Sequence, residues 1–253
     1  MSFLEVNNLS KRFGGISAVN NLSFSIRKHC LFAIIGPNGA GKTTTFNLLS
    51  GVLPADGGEI HFKNEPILGL KPYQISSRGM VRTFQSVNLF DNMTVLDNIK
   101  VGCHKIGRSE IFSAAFHTRN FRREEQNISE KAYAALRLVG LENRAGEMAG
   151  NLPFGQQRLI EIARSLAGDP ELLLLDEPAA GLNAHETAEL AALLLRLQSQ
   201  GITIILIEHD MELVMDIAEN IIVLDQGIKI AEGMPRDIQN NKAVITAYLG
   251  EEC

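Results

Sequence analysis

The 253-residue chain reads as an α/β fold, with a parallel sheet core, an antiparallel β part beside it and a helical part inserted into it. Three observations carry that reading. Apolar runs such as Leu31–Ile35 and Leu172–Leu175 are continuous rather than alternating, as strands covered on both faces must be. Helical stripes lie between them, the clearest being Leu190, Leu193, Leu194 and Leu197, which fall in phase before Gly201 stops the pattern. A glycine-rich turn, Gly36 to Thr43, joins the first of those runs to a helical stretch beginning at Thr44. Open parallel sheets take their ligands at such a place, outside the carboxyl ends of the strands.

The elements follow in order. Phe3 to Val6 and Leu22 to Ile26 are expected strands flanking a turn at Gly14-Gly15, and Asp56-Gly57-Gly58 introduces a third, Glu59 to Phe62. Together they predict an antiparallel layer. From 94 to 166 the pattern is helical: Ala132, Leu136 and Val139 share one face, and Leu159, Ile162, Ala163 and Leu166 form the stripe of an amphipathic helix. After Leu172–Leu175 come the Leu190 helix, a strand Ile202 to Ile207 and a helix Met211 to Glu219. A hairpin of Ile221–Leu224 and Gly227–Ala231 turns at Asp225-Gln226-Gly227. The expected organisation is a single domain in three parts: 1–93 (antiparallel layer and glycine-rich turn), 94–166 (helical) and 167–253 (the rest of the core and the C-terminal tail).

Composition excludes several classes. A hydrophobic share of 45% and a charged share of 21% suit a soluble globular protein. A net charge of −5 argues against a nucleic-acid binder, which carries a basic face. No apolar run approaches the ~20 residues that cross a bilayer, and the N-terminus lacks the features of a signal peptide. Cys30, Cys103 and Cys253 have no metal-type spacing and fit reduced thiols, so a cytoplasmic location is expected.

The chemistry starts at Gly36-Pro37-Asn38-Gly39-Ala40-Gly41-Lys42-Thr43, which fits the P-loop pattern G-x-x-x-x-G-K-[ST]. Its glycines let backbone N–H groups approach a polyphosphate that also meets the positive end of the following helix. Lys42 can reach the β- and γ-phosphates, and the Thr43 hydroxyl can ligate Mg²⁺. The bland alternative is a chance glycine-rich turn, but strand, loop and helix stand in the right order. The chain is expected to bind a nucleoside triphosphate through residues 36–44, Thr44 included.

Leu172-Leu173-Leu174-Leu175-Asp176-Glu177 is the second site. A carboxylate ending a buried strand suits Mg²⁺, the role given to Asp176, and Glu177 can polarise a water for attack on the γ-phosphate. Two adjacent acids after a strand are common, so the P-loop is what raises this reading above a solvated loop. His209, just past the strand Ile202 to Ile207, is the third. A lone histidine there is usually structural, but the position lies on the same sheet edge, within reach of the γ-phosphate.

In that order these motifs resemble the ATP-binding subunits of ABC transporters over nearly the whole chain. The resemblance implies that Phe13 stacks on adenine and that Gln85, in Arg82-Thr83-Phe84-Gln85, senses the γ-phosphate and helps hold Mg²⁺. Thr43 and Asp176 complete the metal set, and Glu177, His209 and Gln85 form the catalytic set. Leu152-Pro153-Phe154-Gly155-Gln156 stands at the signature, with Leu152, Phe154, Gly155 and Gln156 reaching ATP across a head-to-tail dimer. Two departures are visible. Pro153 and Phe154 replace a serine and a glycine of the usual signature, leaving backbone amides near Gly155 and the dipole of a helix from Gln156. Asn183 stands where many relatives carry aspartate.

Those departures, with the ending Ala247-Tyr248-Leu249-Gly250-Glu251, resemble the branch that powers branched-chain amino acid importers and their amide and urea relatives. The implied partners are transmembrane permease subunits, a second ABC ATPase (identical or related) and, indirectly, a solute-binding protein, with no nucleic acid. The implied place is the cytoplasmic face of the inner or plasma membrane. Ser86 to Met93 is the expected permease contact. The basic stretch His104 to Arg123 (Lys105, Arg108, Arg119, Arg122, Arg123) reads as a solvated loop or, more sharply, a contact with an anionic leaflet. The alternatives are a lipid or lipopolysaccharide exporter's ATPase and a soluble, non-transport ABC ATPase. A GTPase is excluded for want of Asn-Lys-x-Asp.

Overall fold

Alternating burial shapes the first strands. In β1 (Leu4–Phe13) Leu4, Val6 and Leu9 point inward, and in β2 (Ile16–Ile26) Val19, Leu22, Phe24 and Ile26 do. The two pair antiparallel from Leu4–Ile26 to Phe13–Ile16, with register shifts along the ladder. Asn8 and Asn21, at φ of 49° and 51°, lie in those irregular stretches. Bulges of this kind keep a strand running through a polar sequence. Both strands are therefore longer than the expected Phe3 to Val6 and Leu22 to Ile26. With β4 (Gly57–Phe62) and β5 (Glu65–Pro66) they form a four-stranded antiparallel sheet in the order β2-β1-β4-β5.

This computed structural model describes residues 2–83, 88–103 and 119–249, without the side chains of 119–122 and 249. Gln85, Ser86 and Val87, and the basic side chains of Lys105, Arg108, Arg119 and Arg122, lie outside the described set.

The second sheet has six strands. β3 (Leu31–Ile35), β6 (Met80–Arg82), β7 (Leu172–Asp176), β8 (Thr203–Ile207), β9 (Asn220–Asp225) and β10 (Ile228–Gly233) run in the order β10-β9-β3-β8-β7-β6. All neighbours are parallel except β9 and β10. Every residue of β3, β7 and β8 is buried, which explains their unbroken apolar sequences. The β9–β10 hairpin turns through Gln226 and Gly227, at φ of 46° and 81°, the pair of left-handed residues that suits a two-residue turn. β6, three residues long, is too short to leave a periodic signature and was not expected.

The helices are α1 (Lys42–Leu49), α2 (Pro72–Ser77), α3 (Val95–Gly102), α4 (Arg119–Leu138), α5 (Phe154–Leu166), α6 (Ala184–Ser199), α7 (Met211–Ile217), α8 (Pro235–Gln239) and α9 (Lys242–Leu249). The chain forms two compact units. One comprises Met1–Arg82, Glu171–Ala180 and Thr187–Cys253 and holds both sheets; the other comprises Thr83–Pro170 and Gly181–Glu186. In the second unit, Ala132 and Leu136 are buried along α4, and Val139 is buried just past its end. α5 departs from the simple stripe: Ile160 is fully buried while Leu159 is only partly so, and Arg158 and Glu161 are buried too. Their side chains form an ion pair at 3.0 Å one helical turn apart, which lets α5 bury charged positions that a sequence pattern assigns to solvent.

Candidate nucleotide-binding and hydrolysis site

The loop from Gly36 to Gly41 leaves the carboxyl end of β3 and delivers the chain into α1. Gly41 caps that helix at φ 100°, and a β-carbon there would stand 2.3 Å from the Ala18 carbonyl oxygen of β2. Only glycine satisfies both constraints. The first turn of α1 contains no acidic residue, so its free N–H groups and dipole stay available to an anion. Lys42 is buried, and its Nζ donates to the carbonyls of Gly36 at 2.7 Å and Pro37 at 2.9 Å, closing the loop around one ammonium. Burial pushes the Lys42 pKa down, while Glu177 and Asp176 push it up. Thr43 is exposed at the start of α1.

Strand order brings the remaining groups to the same edge. β3, β8 and β7 are adjacent and parallel, so their carboxyl ends place the P-loop, Glu208-His209 and Asp176-Glu177 side by side. Asp176 is buried at the end of β7. Its Oδ2 accepts from Arg82 Nη2 at 2.8 Å, while its Oδ1 is buried with no hydrogen-bond partner. Desolvation raises the Asp176 pKa against the opposing pull of Arg82. Arg82 also donates to Asn47 Oδ1 at 2.6 Å and to Ser50 Oγ at 3.1 Å, tying Asp176 to the back of α1. A buried, unpartnered carboxylate oxygen beside a phosphate loop fits a Mg²⁺ site, because Mg²⁺ takes one or two carboxylates and draws its other ligands from phosphate and water.

Glu177 holds φ 49°, a left-handed conformation that costs a residue with a β-carbon about 1–2 kcal/mol. Its N–H donates to the Ile207 carbonyl at 2.9 Å, and its Oε1 meets His209 Nε2 at 2.7 Å. The imidazole is 42% exposed and the carboxylate 14%, so the pair opens to solvent on the histidine side. Phe13, at the tip of the β1–β2 hairpin, is 47% exposed, with the Lys11 ammonium 5.6 Å from its ring centroid.

In the second unit, Pro153 caps α5, whose first residue is Phe154 rather than the expected Gln156. Proline's fixed φ favours that earlier start, and it turns the amides of Phe154 and Gly155 into helix N-terminal donors. Phe154 is 46% exposed, with the Arg158 guanidinium 5.8 Å from its ring centroid. Leu152 and Gly155 are buried, and a β-carbon on Gly155 would stand 2.4 Å from Glu186 Oε1. Gln156 Oε1 is buried without a hydrogen-bond partner. Asn183 caps α6: its Oδ1 accepts from the N–H groups of His185 and Glu186, each at 3.0 Å.

Lys42, Asp176, Glu177 and His209 thus converge within the first unit, the signature residues form a separate cluster in the second, and Gln85 lies outside the described residues. Sequence reasoning missed Arg82 and Glu208. The available signals were an arginine ending a short strand three residues before Gln85, and an acid closing the apolar run Ile204–Ile207.

Among the described residues no helix is long and apolar enough to cross a membrane. A family model described as ABC transporter matches residues 19–180, and one described as branched-chain amino acid ATP-binding cassette transporter matches 229–253. The chain is 47% identical to the high-affinity branched-chain amino acid transport ATP-binding protein LivG of Salmonella typhimurium over 98% of each chain. It is 46% identical to BraF, described in the same words, from Pseudomonas aeruginosa, again over 98% of each. Among solved structures, the ADP conformation of an ATP-binding cassette of an ABC transporter superposes with a TM-score of 0.87 at 33% identity, over 99% of this chain and 100% of that one. A family match spanning P-loop and signature, together with near-complete coverage by its relatives, makes this chain a member of the ABC transporter family, as an ATP-binding subunit.

Proposed function

We propose that the chain is the ATP-hydrolysing motor of a membrane importer for branched-chain amino acids. The observation that carries the ATPase part is the meeting of Glu177 and His209 at 2.7 Å on the sheet edge that bears the P-loop. The cargo rests on similarity to relatives named for branched-chain amino acid transport, which runs through the C-terminal residues 229–253.

In this reading residues 36–44 wrap the phosphates and Lys42 exchanges its carbonyl partners for phosphate oxygens. Thr43, Asp176 through its open Oδ1, and Gln85 would hold Mg²⁺, which would supply charge neutralisation to the phosphates. Glu177 accepts the proton of the attacking water, His209 keeps the Glu177 carboxylate aimed and donates towards the γ-phosphate, and Phe13 stacks on adenine. Leu152, Phe154, Gly155 and Gln156 complete the site of a second copy or a related ATPase in a head-to-tail dimer, through N-terminal amides of α5 where the usual signature has a serine hydroxyl. Residues 1–93, 94–166 and 167–253 act as parts of one ATPase domain. The dimer docks on the cytoplasmic face of transmembrane permease subunits, fed by a solute-binding protein.

Gentle solubilisation of membranes from cells carrying a tagged chain tests the assignment. Co-purification with a polytopic permease and a similar ATPase is expected. Recovery only with ribosomes, nucleic acid or soluble proteins would keep the ATPase chemistry and overturn the importer.

A further inference from the structure

Glu208 is 3% exposed, sandwiched between the two loops that carry Glu177 and His209. Its Oε1 accepts from the Ala179 N–H at 2.7 Å and its Oε2 from the His209 N–H at 3.1 Å. Ala179 lies two residues beyond Glu177, and His209 is the partner of the Glu177 carboxylate. One buried side chain therefore joins the loop after β7 to the loop after β8.

Glu177 needs such a fastening. A non-glycine residue at φ 49° persists only where its surroundings over-determine the backbone. The restraints on this turn include Glu177 N–H to Ile207 O at 2.9 Å, Ala180 N–H to Glu177 O at 3.1 Å, and the Ala179 bond to Glu208.

We propose that Glu208 is a positioning residue for hydrolysis, one that holds the strained Glu177 backbone and the His209 loop in register so that carboxylate and imidazole meet. The chemistry calls for a carboxylate, because backbone N–H groups converge from both sides and only an acceptor-only group with two oxygens can serve them all. A glutamine would turn its own NH₂ toward one of those donors. The Asp210 amide adds to the same convergence; burial raises the Glu208 pKa, and the three backbone amides pull it back down.

The inference rests on Glu177 being the water-activating base, so the test separates the two. Steady-state ATP hydrolysis by the full chain is measured for wild type, Glu177→Gln, Glu208→Gln, Glu208→Asp and the Glu177→Gln/Glu208→Gln double variant. Glu208→Gln should lower kcat about ten- to a hundredfold, as expected when a reacting group is misplaced by a fraction of an ångström to an ångström. KM and equilibrium ATP binding should stay within about twofold, because the amides that Glu208 accepts from belong to Ala179, His209 and Asp210 and not to the P-loop. Glu208→Asp, which keeps two acceptor oxygens, should recover part of the loss. The double variant should be no slower than Glu177→Gln, since both changes act through one carboxylate. Full kcat in Glu208→Gln beside an inactive Glu177→Gln would overturn this inference alone. A raised KM at unchanged kcat, or failure of both Glu208 variants to fold, would likewise overturn it. An active Glu177→Gln would remove the assigned base itself.

Discussion

Asp176 and Glu177 are neighbours in the chain and opposites in environment. Asp176 is buried, tied through one oxygen to Arg82 and open at the other. Glu177, one residue later, turns through a left-handed backbone to reach His209 at 2.7 Å. The strand end holds the first carboxylate still, while the strained step swings the second toward His209 on the sheet edge that bears the P-loop. Replacing Glu177 by glutamine keeps shape and removes basicity. Turnover should fall by about 10²–10⁴-fold, the usual worth of a positioned general base. ATP-dependent dimerisation, measured by size exclusion with and without ATP, should persist, and undiminished hydrolysis would refute the role. The two residue types and their adjacency were readable beforehand; their contrasting surroundings were not, because Arg82 and His209 come from other strands.

At the scale of elements, the departures from the usual motifs acquire local explanations. Pro153 starts α5 at Phe154, so a helix N-terminus stands where a serine hydroxyl is absent. Asn183 is engaged as the cap of α6, receiving the N–H groups of His185 and Glu186. Asn183→Ala should cost about 1 kcal/mol in chemical denaturation, the typical value of a lost cap. Asn183→Asp should match or exceed wild-type stability, since aspartate caps equally well and adds charge favourable to the helix dipole. A destabilised aspartate variant would mean that the amide hydrogens of Asn183, rather than its oxygen, carry the effect. The capping pattern is latent in Asn183 followed by Glu186, but an apolar periodicity registers only the leucines of α6. In α5 the stripe itself misled, because a buried Arg158–Glu161 pair has no periodic signature.

Across the molecule, titration of buried acids links stability to pH. Burial raises the pKa of Glu208 from its ordinary value of 4.5. Between that value and the raised one, folded Glu208 binds more proton than unfolded Glu208 does, so its contribution to stability grows as pH falls through the window and is lost as pH rises. Glu171 behaves oppositely: hydrogen bonding to Lys63, and then to Lys28, lowers its pKa, and that contribution disappears only below 4.5. Tm measured from neutral pH down to 4.5 should therefore gain less, or fall more, on acidification in Glu208→Gln than in wild type. The remaining slope in that range falls partly to Asp176, whose pKa burial also raises. An unchanged slope would show that folded Glu208 does not take up the proton.

The sequence by itself determined what is contiguous: the P-loop with its flanking strand and helix, the Asp176-Glu177 step, the continuous strands, and the family resemblance that relatives at 47% identity share. Those features are legible because each is a local run whose residue types and spacing carry the physics. Tertiary structure alone decided which distant groups meet: Glu177 with His209 across 32 positions, Ala179 with Glu208 across 29, Arg82 with Asp176 across 94. Those pairings follow from the strand order β3-β8-β7-β6, which is set by how whole strands pack and pair rather than by any pattern within one of them.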